Sequence, residues 1–360
     1  MSGALLDSSF CLRVRPGECL TSQLFLLSVP GMAKCFPIKF FPVEGDEGEQ
    51  LRRQFVGYPD GFVRGDPGGL LMTVGYLNIK DELFNMELRP DDVWVITFPK
   101  SGTTWTQEIM WLILNKIDTE AAGKIPVILK SLFLEYSGLV PKADFTLCQA
   151  ANEEVSILEI YEDLPRDKPR ILKSHLPFSV LPPNILNTNK VVYVARNPKD
   201  VIVSYFHHHK LIKIQEFNGT FAEFVDYFIQ DQVLYAPYWS HLHDAWSKRN
   251  QPNVCFIFFE EMKKDLFLSV RKIAMFLGKD MSDKEVNKIV EFVKFENSKD
   301  RWLGFEKDLK EKGLFKEAGS FLRRGEVGDH KNYFDEELER KVDDWIQENL
   351  KGHDLKFPQY

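Results

Sequence analysis

Val93-Trp-Val-Ile-Thr-Phe-Pro-Lys-Ser-Gly-Thr-Thr-Trp-Thr106 is the stretch on which the fold turns. Residues 93–98 are all β-branched or aromatic, the composition of a strand buried on both faces. Pro99 stops the strand and Gly102 permits a tight turn. From Thr103 to Asn115 (TTWTQEIMWLILN) apolar residues return at helical spacing. A strand that passes through a glycine turn into a helix start makes an anion site, because the first N–H groups of a helix have no partner inside it. Lys100 adds a mobile charge, and Ser101, Thr103 and Thr104 add hydroxyl donors. Such a loop suits a phosphate or a sulfate; the plainer alternative is a capped strand–helix turn. A nucleotide-hydrolysing P-loop places its lysine after the second glycine, beside a hydroxyl that serves Mg²⁺. Here Lys100 precedes the glycine, so the cradle is P-loop-like and the wiring differs.

The same logic applies further along. Lys190–Arg196 (KVVYVAR) reads as a buried strand, and Asn197-Pro198 as an N-cap with proline at the first helical position. Arg196 at the strand end and Ser204 two turns into the helix can face one crevice at the carboxyl edge of a parallel sheet, where ligands bind in open α/β folds. Ser320-Phe-Leu-Arg-Arg-Gly-Glu-Val-Gly-Asp329 then offers two guanidinium forks, suited to phosphate oxygens, in a loop before the last helix. Val254–Phe259 is a further strand, Ser282 to Glu285 a capping box, and Asp335–Leu350 an amphipathic helix. The candidate anion contacts are spread from 100 to 325, and no linker, charge block or repeat divides residues 50–360. The expectation is one α/β domain, a central parallel sheet flanked by helices.

In chain order stand PKSGTTW at 99–105, LKSHLP at 172–177, YVARNPKDVIVSYFHH at 193–208, FFEEMKKD at 258–265 and FLRRGEVGDHKN at 321–332. With these motifs the chain resembles the cytosolic sulfotransferases, which move a sulfuryl group from 3′-phosphoadenosine 5′-phosphosulfate (PAPS) to a hydroxyl or amine. The similarity runs from about Val56 to Leu350, and its wording is most like arthropod and other invertebrate members, retinol-dehydratase-like enzymes among them. The resemblance implies that Lys100, Ser101, Gly102, Thr103 and Thr104 wrap the 5′-phosphosulfate and that Trp105 stacks on adenine. It implies a 3′-phosphate site at Arg196, Ser204, Arg323, Arg324 and Gly325, and an adenine contact at Phe259. It makes His175 the catalytic base with Lys173 beside it, and puts Phe133 and Tyr136 at the acceptor pocket with Tyr205 and Phe206 nearby. An aromatic slot of that kind favours a flat apolar acceptor such as a phenol, steroid or retinoid.

The chemistry explains the residue types. Sulfuryl transfer, like phosphoryl transfer, builds charge on the leaving bridging oxygen, where a cation such as Lys100 helps. The acceptor must lose a proton, and a histidine suits that near neutral pH. Residues 173 and 175 share one face of a strand, so Lys173 would help keep the His175 imidazole neutral. No metal is called for. His207-His208-His209 cannot converge on one ion from a helix, since neighbours point about 100° apart; these and His241 and His243 read as surface or pocket histidines.

A net charge of −7 argues against nucleic acid as a partner, and five cysteines without a framework spacing fit a reducing compartment, hence the cytoplasm. No apolar run reaches the roughly 18 residues of a membrane span. Residues 1–31 read as an upstream extension, with the sulfotransferase domain at 32–360. Three positions depart from the family pattern: Phe259 for a tyrosine, His330 for a tryptophan, and an unmatched stretch at Glu296-Asn297-Ser298. The family's dimerisation string is absent as well, so a homodimer stays open. The rival readings are a nucleotide kinase, a non-catalytic PAPS-binding homologue, and an enzyme that eliminates a sulfonated intermediate.

Overall fold

Successive strand residues point to opposite sides of a sheet, and in the central sheet of this protein both sides are buried. A computed structural model describes residues 34–131, 133–139 and 157–359. The expected extension at 1–31, and Cys11, Cys19 and Cys148, lie outside these residues. Phe36–Tyr360 forms one compact unit. It opens with a small antiparallel sheet of β1 (Lys39–Pro42), β2 (Phe62–Asp66) and β3 (Leu71–Thr73). The central sheet is parallel, in the order β5-β4-β6-β7, from β4 (Val93–Ile96), β5 (Ile171–Ser174), β6 (Lys190–Ala195) and β7 (Val254–Phe258). Trp94, Ile96, Leu172, Val191 and Tyr193 enter one apolar core, while Val93, Val95, Ile171, Val192 and Val194 enter the other. Alternation with both faces covered explains why these strands read as continuous apolar runs.

The chain goes from β4 out to β5, then back across β4 to β6, so the order reverses between β4 and β6. The carboxyl ends of those two strands carry the Lys100 loop and Arg196, and ligands bind at such a switch point. The opposite edge is locked instead. Arg170 grips the buried Asp92 carboxylate through Nε at 2.7 Å and Nη2 at 2.6 Å, and Arg89 N–H adds a third bond at 2.7 Å.

Three strands are shorter than the sequence predicts, β6 by one residue since it ends at Ala195. β4 ends at Ile96 rather than Phe98, because Thr97 turns its carbonyl and hydroxyl to His175. β7 ends at Phe258, and Phe259 begins the helix Phe259–Lys264. The helix after the glycine turn is Thr103–Leu114, the Ser282–Glu285 capping box is present, and the last helix is Glu336–Leu350 with Asp335 as its cap.

Candidate active site

The anion loop is built from two left-handed residues. Gly102 (φ 104°) carries the chain into the helix Thr103–Leu114, and a Cβ there would also stand 2.8 Å from the Phe259 ring. Lys100 (φ 68°) adopts the same region without being glycine, a strained choice of the kind that functional loops hold. Its Nζ lies 4.1 Å from the centre of the Phe321 ring and 3.4 Å from His208 Nδ1. Burial, then Arg196, Lys173 and Arg323, bring the Lys100 pKa down to about 7.

Arg196 ties this loop to the late arginine loop. Its Nη1 donates to Lys100 O and its Nη2 to Glu326 O, each at 3.0 Å, and its guanidinium lies 4.3 Å over the Phe259 ring. Arg323 and Arg324 both pair with the buried Asp329, the latter at 3.1 Å. Asp200 accepts from Gly328 N–H at 2.8 Å and His330 N–H at 3.1 Å, and lies 3.0 Å from His330 Nδ1. The imidazole at 330 therefore has a partner of its own, on the helix that carries Ser204.

His175 follows β5. Its Nδ1 is 2.8 Å from Thr97 O, an atom that can only accept, so Nδ1 holds the ring proton and Nε2 keeps the lone pair. Thr97 Oγ1 lies 3.2 Å from the same nitrogen and 2.6 Å from Thr103 Oγ1, linking the imidazole to the anion loop. The backbone is held too: His175 N–H donates to Glu135 at 2.7 Å, and His241 Nε2 meets His175 O at 3.1 Å. Burial, and next the Lys173 charge, hold the His175 pKa well below its ordinary value. Burial likewise brings Lys173 down to about 8 and Glu135 up to about 7.

The cationic groups and His175 share one cavity of about 330 Å³. Its wall includes Lys100, Gly102, Thr103, Thr104 and Trp105, then Arg196, Ser204, Phe259, Arg323, Arg324 and Gly325. Phe133, Tyr136, Lys173, His175 and Tyr205 complete it from the acceptor side. Ser101 is buried and off the wall, because the turn directs it inward. Phe206 is also off the wall, packing on Phe217, Phe221 and Phe224 instead, since residue 206 faces away from residues 204 and 208 on the helix. Nor are all the histidines surface or pocket groups: His209 and His241 are fully buried, the first bonded to Gln215 O at 2.6 Å, the second to Tyr193 OH at 2.8 Å. Among the described residues no group of three or more His, Cys, Asp or Glu side chains converges to hold a metal ion.

Sequence reasoning missed the part of the wall made by the helix Phe295–Glu311, namely Phe295, Ser298, Trp302, Phe305 and Leu309. It also missed Thr97 and Glu135, and while it allowed His208 a place in the pocket it did not foresee the contact with Lys100. The one pointer in the sequence was the unmatched stretch at Glu296-Asn297-Ser298, which lies on this helix; Thr97 and Glu135 carry no motif of their own.

A cationic cradle at a sheet switch point, with a neutral imidazole on the same wall, defines a group-transfer protein for an anionic nucleotide. Residues 90–354 match the family model described as "Sulfotransferase domain", and the chain belongs to the sulfotransferase family. Luciferin sulfotransferase of Photinus pyralis is 31% identical over 335 residues, 89% of this chain and 88% of that protein. Amine sulfotransferase of Oryctolagus cuniculus is 35% identical, covering 79% of this chain and 89% of its own. Among solved structures, retinol dehydratase in a complex with retinol and PAP is 33% identical with a TM-score of 0.81, covering 90% of this chain and 99% of that one. A second structure of retinol dehydratase, with androsterone and inactive cofactor PAP, matches at 34% and the same TM-score of 0.81.

Proposed function

We propose that this sulfotransferase moves the sulfuryl group of PAPS onto the hydroxyl of a flat apolar alcohol, with His175 as base and Lys100 as the cation at the leaving phosphate. The observation that carries this reading is the tautomer of His175. A ring that donates from Nδ1 to Thr97 O keeps a basic Nε2, and the lowered pKa keeps it unprotonated at neutral pH. Such a group can take a hydroxyl proton as the oxygen attacks.

The residues suit the nucleotide as well. Arg196, on the cavity wall, has a buried Nε–H without a protein partner, and the Lys100 ammonium sits among Lys173, Arg196 and Arg323. A bound polyanion would satisfy that N–H and raise the lysine pKa back toward its charged range. Lys100 and the Gly102 turn would hold the 5′-phosphosulfate, Arg196, Ser204 and Arg323 the 3′-phosphate, and Trp105 with Phe259 the adenine. Trp105 is braced for this by Nε1–H donating to Val293 O at 2.8 Å. Lys173, with Nζ 4.0 Å over the Phe133 ring, lies at the boundary between nucleotide and acceptor.

The acceptor side is apolar and aromatic, with Val127, Ile128, Leu139 and Tyr235 beside Phe133 and Tyr136. Retinol and androsterone, named with the structural relatives, are hydroxyl compounds of that shape. A second reading is favoured by the likeness to retinol dehydratase: the sulfonated alcohol loses sulfate and a proton to leave a double bond. The free thiols of Cys35 and Cys255, among the described residues, support a cytoplasmic setting.

Incubation with labelled PAPS and a panel of retinoid, steroid and phenolic alcohols, read by mass spectrometry, tests both. Gain of SO₃ marks transfer and loss of water marks elimination. Mg²⁺-dependent turnover of ATP in place of either would sink the proposal.

A further inference from the structure

Lys100 has a neighbour that the reaction above does not use. His208 lies one turn beyond Ser204 on the helix Pro198–Leu211, so both reach the cavity from one helix face. An ammonium can only donate, so in its 3.4 Å contact with Lys100 the His208 Nδ1 must carry the lone pair. The ring also lies 5.9 Å from the Phe321 ring, which packs under the same ammonium at 4.1 Å. Burial, then Lys100, His209 and Lys173, hold the His208 pKa well below its ordinary value, so this imidazole is a neutral acceptor. The charged groups that face Lys100 are Arg196, Lys173 and Arg323, all repulsive. His208 offsets them with a lone pair.

Given the assignment of Lys100 to the leaving phosphate, we propose that His208 is a positioning residue for Lys100: by accepting from the ammonium it keeps that lysine protonated and held at the mouth of the loop. An acceptor at the charged form of a lysine raises its proton affinity, so loss of the acceptor moves the Lys100 midpoint down from about 7.

The test replaces His208 with phenylalanine, which occupies similar space and cannot accept, and with asparagine, whose carbonyl oxygen can sit near the place of Nδ1. Competitive acylation of lysines across pH, read residue by residue by peptide mass, reports the Lys100 midpoint without nucleotide or turnover. The expected result is a fall of about half to one pH unit in His208→Phe, with Lys173 little changed and His208→Asn close to the unaltered protein. Single-turnover transfer on the alkaline side, above the pH at which Lys100 loses its proton in the nucleotide complex, should fall about three- to tenfold in His208→Phe and recover in His208→Asn. His208→Leu replaces the phenylalanine variant if melting curves show that the latter does not fold. An unchanged Lys100 midpoint in a folded variant overturns the proposal. A shifted midpoint with unaltered single-turnover rates overturns it differently: the contact is then real, and the assignment of Lys100 to the leaving phosphate is what fails.

Discussion

One proton, held between His175 Nδ1 and the Thr97 carbonyl, carries the proposed mechanism at the residue scale. His175→Ala should fold, bind the nucleotide and lose roughly 10²- to 10⁴-fold in single-turnover rate, the usual worth of a positioned base. Calorimetry beside single-turnover kinetics separates this from a purely structural histidine, whose loss would lower the melting point and leave the rate per folded molecule intact. The pH profile follows from the same group. A histidine base works unprotonated, and the His175 pKa lies below 6.5, so the rate should rise with pH along a limb lying below 6.5, while any fall at higher pH belongs to loss of the Lys100 proton. Burial is the larger cause of that depression and the Lys173 charge the next. Lys173→Met should therefore move the limb upward, toward but not past the ordinary histidine value; a limb that stays put would show that Lys173 does not act on His175. His175 and Lys173 were legible because they stand in one short string, LKSHLP. Thr97 and Glu135, which hold that histidine, come from other strands and loops and are ordinary residues in their own neighbourhoods.

Elements meet at Arg196. Its guanidinium bonds the carbonyls of Lys100 and Glu326, so the side chain that faces the expected 3′-phosphate site also fastens two loops together. Arg196→Ala should weaken nucleotide binding by roughly 1.5–3 kcal/mol, the worth of a charge-assisted hydrogen bond, and lower the melting point as the loops part. Titration calorimetry and thermal melts on one preparation read both; full affinity in a folded variant would place Arg196 beyond the nucleotide's reach. The strands and helices on either side of it were readable because β-branched runs, an Asn-Pro start and a capping box act within a few residues. The helix Phe295–Glu311 was not read as part of the site, since its Trp302 and Phe305 gain meaning only from packing near Phe321.

Across the whole molecule, the two edges of the central sheet have different tasks. The amino edge is closed by Asp92 and Arg170, whose side chains are 0% and 3% exposed, while the carboxyl edge opens into the cavity. Asp92→Ala leaves the guanidinium buried and unpaired and should cost about 3–5 kcal/mol of stability. Urea unfolding measures it, and the single-turnover rate per folded molecule should not change, because the pair lies at the far end of the strands from His175. A destabilisation under 1 kcal/mol would mean that the pair is not buried as described, the worth typical of a solvent-exposed one. Local order decided much of this protein: which segments are strands, where the anion loop turns and where the helices start. Those depend on steric limits and periodicities confined to short windows of chain. The reach of Arg196 across two loops, the carbonyl that sets the tautomer of His175, the imidazole beside Lys100 and the aromatic wall from the 295–311 helix were decided only on folding. Each depends on a distance between residues far apart in the chain, and such distances are set by how the layers pack around the sheet.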